Sequence, residues 1–267
     1  MSQTASNAQS SSIVDQQFDS KLSHYELRTD LAAALRWAAR LNFNEGVDNH
    51  FSVAVPGANG NINGDLFLIN PYGWHWSEVT ASSMVLCDAK GTVLEGDNTV
   101  EDTAFYIHSR IHVNVPSATV VLHTHQPYVT ALSLLADNKL KMCEQNALAF
   151  HNKIAYDNAY NGLALGSDEG NRLATMMADK SILLMAGHGV TVTGPSMKEA
   201  FNDLYYLERA AMFQVLAMST GKDLLDIPSD VIEKTAEQQK QESKIVADRH
   251  FKAIKRMLAQ QEPEYLQ

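Results

Sequence analysis

The sequence is poor in cysteine. Its two cysteines, Cys87 and Cys143, are far apart, and neither belongs to a Cys-x-x-Cys pair. This spacing excludes a framework of several disulfides and argues against a zinc site built from thiolates. Basic residues are also few, because 21 Lys and Arg stand against 31 Asp and Glu, for a formal net charge of −10. Non-specific binding to nucleic acid or to an anionic membrane needs a basic surface, so both partners are disfavoured.

Long apolar runs are missing as well. The longest ones fall well short of the about 20 residues that span a bilayer. Residues 1–12 show neither the basic start nor the apolar stretch of a secretory signal. We therefore expect a soluble, cytoplasmic protein whose polar residues 1–22 form a disordered tail. Across the 267 residues, 45 % are hydrophobic and 19 % charged, which is typical of a globular protein.

The hydrophobic pattern mixes helical and strand-like periods. Helices are expected at 25–43, 80–84, 103–113, 127–135, 168–179, 196–220 and 229–261, and strands at 50–56, 65–73, 118–122 and 181–186, with a hairpin around Lys90 and Gly91. No regular strand–helix–strand repeat is present. The sequence therefore predicts one α/β domain at 23–225, with a mixed, mainly antiparallel sheet between helical layers. Residues 226–267 are predicted to form a charged helical extension.

Ten histidines are more than packing requires, and three of them end apolar strands. His123 and His125 are two residues apart on a strand, so their imidazoles lie on one face. His188 ends the strand at 181–186 between two glycines, which allow a tight turn and a close approach. If the two strands are neighbours, the three imidazoles form an open divalent metal site of the catalytic kind. Alternatively, each histidine is a hydrogen-bonded core residue.

Several motifs occur in an order that resembles the class II aldolase and adducin family, in particular its adducin-like branch. They are DNHFSV, FLINPYGWHWSEVTASSM, IHSRIHVNVP, VVLHTHQPY, LLMAGHG and YLERAA, and the resemblance covers residues 27–219. It implies a three-layer α/β/α fold and a tetramer with active sites at subunit interfaces. It also implies that His123, His125 and His188 bind one divalent ion per subunit. Zinc is the first expectation, with iron or manganese as alternatives.

One departure from the family pattern concerns proton transfer. The family's acid/base glutamate corresponds to Ala104 here, and alanine carries no proton. Glu101 is a candidate replacement, because it lies one helical turn before Ala104 and two turns before His108. The alternative is that Glu101 is a first-turn carboxylate stabilised by the helix dipole.

A second departure concerns the phosphate pocket. Asp102 and Thr103 replace the family's paired serines, and Tyr72 replaces the threonine of the phosphate turn. An aspartate would repel a phosphate dianion, so the sequence predicts a small, non-phosphorylated carbonyl compound as substrate. The residues predicted to bind it are Asn49, His50, Asn70 and Gly73. His108 and His112 are expected to serve in the packing of their helix rather than to bind metal.

Two classes of function remain open. The first is a metal-dependent lyase that cleaves or forms a carbon–carbon bond beside a carbonyl group, through a metal-stabilised enediolate. A variant of this class is an enzyme of the same fold with other chemistry, such as an epimerase, a decarboxylase or an oxygenase. The second class is a non-catalytic assembly protein that uses the fold for self-association, as the adducin heads do. Retention of all three histidines favours an enzyme, whereas Ala104 favours the assembly role.

Overall fold

The computed structural model describes residues 22–267, and the predicted tail at 1–22 lies outside this range except for Leu22. The strands are β1 (His50–Ala54), β2 (Leu66–Ile69), β3 (Val85–Asp88), β4 (Val93–Glu95), β5 (Val120–Thr124), β6 (Ile154–Asp157), β7 (Ile182–Met185) and β8 (Gly189–Gly194). The helices are α1 (Tyr25–Arg40), α2 (Asp102–Asn114), α3 (Pro127–Ser133), α4 (Gln145–Leu148), α5 (Ser167–Met177), α6 (Met197–Met218) and α7 (Ser229–Gln261), followed by a 3₁₀ turn at Pro263–Leu266.

The eight strands form one sheet in the order β4-β3-β2-β1-β5-β8-β7-β6. All neighbours are antiparallel except β6 and β7, which are parallel. The predicted mixed, mainly antiparallel sheet is therefore confirmed. The predicted hairpin around Lys90 and Gly91 is the β3–β4 connection.

The central strand β5 shows why the sheet is covered on both faces. Val121 packs with α2 and α5, in a cluster that includes Ile107 and Leu173. Leu122, one residue later, joins the main core with α1, α6 and α7, which includes Leu204. Successive side chains of a strand point to opposite faces, so an apolar run at this position requires a helical layer on each side. The α/β/α layering follows from this burial.

The helix predicted at 80–84 is wrong, because this segment forms a turn. The Ser83 side chain closes the turn by donating to the Thr80 carbonyl at 2.8 Å. The backbone N–H groups of Ala81 and Ser82 donate to the carbonyls of Tyr265 and Gln267, at 3.0 and 2.7 Å. These two hydrogen bonds anchor the C-terminal residues of the chain to the turn.

The two strands that carry the histidines are not neighbours, contrary to the condition set above. Strand β8 was not predicted, and it lies between β5 and β7. His188 nevertheless reaches the end of β5, because it occupies the tight turn between β7 and β8. Helix α4 and strand β6 were also not predicted. Each has four residues, too few for a periodic signal.

The charged helix predicted at 229–261 is confirmed as α7. Its first half is largely exposed, whereas Phe251, Ile254 and Leu258 in its second half join the main core. The domain boundaries at 225 and 226 stay a prediction. Within residues 22–267, no helix combines the length and apolarity needed to cross a bilayer.

Candidate metal centre and substrate pocket

The structure brings His123, His125 and His188 together where strand β5 ends and strand β8 begins. One ring nitrogen of each lies within 4.8 Å of the corresponding nitrogens of the other two. The ring centroids are 4.8 to 5.1 Å apart. Three imidazoles at this separation can converge on a single ion without a change of backbone.

Local backbone geometry produces this convergence. His123 is paired with Thr191 across the β5–β8 ladder, so the end of β5 lies beside the start of β8. Gly187 adopts the left-handed conformation, with φ of +67°, which closes the turn before His188. At Gly189 a Cβ atom would lie 2.5 Å from the Thr124 carbonyl oxygen. Glycine is therefore favoured at both positions that flank His188: by the backbone conformation at 187 and by the lack of space for a side chain at 189.

The hydrogen bonds of the three rings leave ligand atoms free. His123 Nδ1 lies 3.1 Å from the Val190 carbonyl oxygen. A carbonyl only accepts, so Nδ1 carries the proton and Nε2 is bare. His125 Nε2 is buried and has no hydrogen-bond partner within the described part of the chain. Glu45 Oε2 lies 3.9 Å from Nδ1 of this ring, which is beyond hydrogen-bond distance.

Electrostatics keep the cluster neutral. Burial, followed by the neighbouring His125, lowers the pKa of His188 to about 4. Burial is also the largest cause of the lowered pKa values of His123 and His125, and Glu45 and Asp48 oppose it at His125. Neutral imidazole is the form that coordinates metals. The donor set and the orphaned Nε2 therefore fit a divalent ion.

A cavity of about 300 Å³ opens beside the cluster. Its walls are Val47, Asp48, Asn49, His50, Asn70, Tyr72, Glu101, Thr103, Ala104, Leu163 and the three clustered histidines. The structure thus brings Glu101, Asn49, His50 and Asn70 to one cavity with the histidines. Gly73 is not part of this lining, and its predicted role in substrate binding stays a prediction. None of these wall residues is Lys or Arg.

The two asparagines of the pocket hold its walls in place. Asn49, with φ of +71°, accepts from the backbone N–H groups of Glu45 and His125 through Oδ1, at 3.1 and 3.2 Å. Asn70 Oδ1 accepts from the Phe51 N–H group at 2.8 Å. These bonds tie the start of β1 and the loop before it to the histidine cluster. A role of either amide in substrate binding remains a prediction.

Glu101 is the N-cap residue of α2, whose first helical residue is Asp102. Its Oε2 atom accepts from the Ala104 N–H group at 2.7 Å and from the Thr103 hydroxyl. The alternative raised from the sequence was that Glu101 stabilises the start of the helix. The Oε2 atom of Glu101 does so. Ala104 lies in the pocket wall, and Asp102 is exposed outside it.

His108 and His112 face β1 rather than the metal cluster. Both hydrogen-bond the Ser52 hydroxyl, as expected for residues that pack inside the fold. No role was predicted for Ser52 from the sequence. The available signal was its spacing from His50, since residues two apart on β1 share a face.

Glu208 is a second residue that sequence reasoning missed, although it belongs to the YLERAA motif. Its carboxylate accepts from the N–H groups of Tyr128 and Val129, at 2.8 and 2.9 Å. It thereby caps α3, the helix that follows His125. Burial raises the pKa of Glu208 to about 7, against the effect of these two hydrogen bonds.

This raised pKa predicts a pH dependence of stability. The contribution of Glu208 is fully present below its ordinary value of 4.5 and is lost as the pH rises through about 7. Relative to Glu208→Gln, the wild-type free energy of unfolding should fall by about 1 to 2 kcal/mol over this range. Urea unfolding at a series of pH values measures the difference. Glu233→Gln, on the exposed part of α7, should retain the wild-type slope, and an equal slope for both variants contradicts the assignment.

The fold and the site together define an α/β/α protein with a three-histidine centre at the ends of two interior strands of its sheet. Residues 29–215 match the family model described as Class II Aldolase and Adducin N-terminal domain. The chain therefore belongs to the class II aldolase and adducin family, as its motifs indicated.

Individual relatives support this membership. An aldolase II superfamily protein from Pseudomonas syringae superposes with a TM-score of 0.85 at 34% identity, over 92% of this chain and 98% of that one. An L-fuculose 1-phosphate aldolase from Glaciozyma antarctica superposes with a TM-score of 0.77 at 25% identity, over 90% and 92%. The decarboxylase NovR of Streptomyces niveus is 30% identical over 78% of this chain and 75% of its own length. The family thus includes both aldolases and decarboxylases.

Proposed function

We propose that this protein is a divalent-metal-dependent lyase of the class II aldolase type, acting on a small, non-phosphorylated hydroxy-carbonyl compound. The observation that carries the proposal is the convergence of His123, His125 and His188 beside a cavity of about 300 Å³. Zinc is the proposed ion, since three imidazoles and an open position are typical of catalytic zinc sites. When bound, such an ion supplies Lewis acidity toward a carbonyl or hydroxyl oxygen.

The charge of the pocket supports a substrate without a phosphate group. Asp48 and Glu101 line the cavity, and among the described residues no Lys or Arg lines it with them. Phosphate sites normally use Lys, Arg or a row of backbone N–H groups. Tyr72 and Thr103 add hydroxyl groups, which suit an uncharged polyhydroxy compound.

Glu101 is the proposed acid/base residue. Its Oε2 atom is engaged in the cap of α2, and Oε1 has no hydrogen-bond partner within residues 22–267. One carboxylate can therefore hold the helix end and move a proton at its other oxygen. In this proposal Glu101 takes over the role of the carboxylate that is missing at Ala104, two residues into α2.

Decarboxylation is a second candidate reaction, favoured by the similarity to NovR and by the missing carboxylate at Ala104. This reaction requires a carboxylate on the substrate, which leaves as CO₂, whereas aldol cleavage releases an aldehyde.

We also propose that the protein is a homo-oligomer, in particular a tetramer. The support is a row of exposed apolar residues beside the pocket, Tyr160, Leu163 and Leu165, which a neighbouring copy would cover.

The zinc-loaded full chain should cleave the bond between the α and β carbons of β-hydroxy ketones or 4-hydroxy-2-keto acids, releasing an aldehyde and a ketone or 2-keto acid. We expect kcat/KM to be at least about 100-fold higher for these than for their phosphate esters, because of the acidic pocket. Glu101→Gln should lower kcat by about 10² to 10³ while Gln retains the cap. Asp102→Asn, the exposed neighbour, should change kcat by less than about twofold. Release of CO₂ without aldehyde would favour the decarboxylase, and no turnover of either kind would contradict an enzyme.

A further inference from the structure

A buried chain of hydrogen bonds runs from the pocket, between β1 and α2, to the residues that precede β5. His50 Nδ1 lies 2.7 Å from His108 Nε2, and His108 Nδ1 lies 2.5 Å from Ser52 Oγ. Ser52 Oγ lies 2.7 Å from His112 Nε2, and His112 Nδ1 lies 2.7 Å from the Ala118 carbonyl oxygen. All four side chains are at most 6% exposed.

Two secondary-structure periods bring these groups together. His50 and Ser52 lie on one face of β1, and His108 and His112 lie one turn apart on α2. Each connection uses a different ring edge, so the chain is continuous from one end to the other.

The Ala118 carbonyl sets the direction of every bond in the chain. A carbonyl oxygen only accepts, so His112 carries its proton on Nδ1 and presents a bare Nε2. Ser52 must then donate its single proton to His112 and accept from His108 Nδ1. His108 Nε2 is left bare and accepts from His50 Nδ1. Each imidazole of the chain is thus the Nδ1–H tautomer, in the neutral form that burial favours.

We infer that this chain fixes His50 with its proton on Nδ1, so that the pocket meets a bare Nε2 that accepts a hydrogen bond. His108, Ser52 and His112 are positioning residues, and they act through His50. His50 was predicted from the sequence to bind substrate, and the direction of the chain gives it the role of a hydrogen-bond acceptor in that binding. The group recognised is a hydroxyl of the substrate, whereas a carbonyl or carboxylate oxygen finds no donor there. Only this identification of the ligand group rests on the proposed function.

The end of the chain at the pocket distinguishes it from a purely structural network. A structural network satisfies all its members, and the Ala118 end of this one does. At the other end, His50 Nε2 has no hydrogen-bond partner among the described residues, and the ring lines the cavity. His50 also stacks on His123, with ring centroids 4.9 Å apart. The free acceptor therefore lies beside the metal cluster, where a substrate bound there would reach it.

Nitrogen NMR of the full chain tests the inference without a substrate. In ¹⁵N-histidine-labelled protein, long-range ¹H–¹⁵N correlation distinguishes a protonated ring nitrogen from a bare one. We expect the Nδ1–H tautomer for His50, His108 and His112, both in zinc-loaded protein and after chelation. Signals are assigned by their loss in single histidine variants. A wild-type His50 with its proton on Nε2 overturns the inference, whether or not the protein proves to be a lyase.

Ser52→Ala tests whether the chain imposes this tautomer. Removal of the hydroxyl should shift His50 and His108 toward a mixture of tautomers and leave His112 on Nδ1. Ser109→Ala, which removes another fully buried hydroxyl from α2, should leave His50 unchanged. If Ser52→Ala does not fold, Ser52→Cys keeps the volume with a much weaker hydrogen-bonding group. An unchanged His50 tautomer in the folded Ser52 variant shows that the chain does not set it.

Discussion

His123→Ala should reduce bound divalent metal from about one ion per chain to less than about 0.1. The substitution removes one of three neutral nitrogen donors, and loss of even an outer residue of such a site costs about 10- to 100-fold in affinity. Loss of a ligand itself should cost at least about 10³-fold. Elemental mass spectrometry of purified, dialysed protein measures the metal content and names the ion.

The matched control is His75→Ala. His75 is exposed and contacts Asn44 and Ser77 rather than the cluster, so this variant should keep its metal. Added zinc should also stabilise the wild type, by about 2.7 kcal/mol at a concentration 100 times the dissociation constant. The same zinc should not stabilise His123→Ala. A folded wild type that takes up no divalent ion would overturn the lyase proposal and leave the adducin-like assembly role as the leading function.

Gly189→Ala should lower both stability and metal affinity, and more so than the same change at Gly187. A Cβ atom at position 189 would lie 2.5 Å from the Thr124 carbonyl oxygen and 2.7 Å from His125 Cδ2. Backbone on one side cannot yield, so the strain falls on the His125 ring. We expect a loss of about 2 to 3 kcal/mol in the free energy of unfolding and about 10- to 100-fold in zinc affinity.

Gly187→Ala provides the comparison within the same turn. A Cβ atom there meets nothing within 4 Å, and the cost is only that of φ at +67°. This conformation costs about 1 to 2 kcal/mol for alanine and does not displace a ligand. Chemical denaturation of metal-free protein and competition against a zinc chelator measure the two quantities. Equal losses of zinc affinity in both variants contradict the proposed link between Gly189 and His125.

The pocket has a consequence for the choice between reactions. Glu101 contributes one oxygen to the cap of α2, and His50 presents an acceptor to the same cavity. Neither is a cation, and the cavity wall holds two carboxylates, Asp48 and Glu101. A substrate with several hydroxyl groups matches these acceptors better than a polyanion does. This preference supports the proposed aldol cleavage of a hydroxy-carbonyl compound over decarboxylation, which requires a substrate carboxylate.

Local chemistry in the sequence was enough to predict most of the secondary structure. The apolar run that ends at His123 could only be a central strand, because both of its faces must be buried. The charged pattern at 229–261 predicted α7 with the correct ends. The turn at 80–84 was misassigned as a helix, since its backbone donors bond to Tyr265 and Gln267, which are remote in sequence. No local pattern contains that information.

The sequence by itself determined the fold class, the three histidines and the absence of the usual carboxylate at Ala104. The first two depend on residue type and on spacing within single strands and helices, and the third depends on the resemblance of the motifs to the family. Only the tertiary structure decided that β8 lies between β5 and β7, and that Glu208 caps the helix that follows His125. It alone joined His50, Ser52 and His112 into one directed chain. The physical reason is that strand order, hydrogen-bond direction and burial depend on contacts between distant segments, which a one-dimensional pattern does not encode.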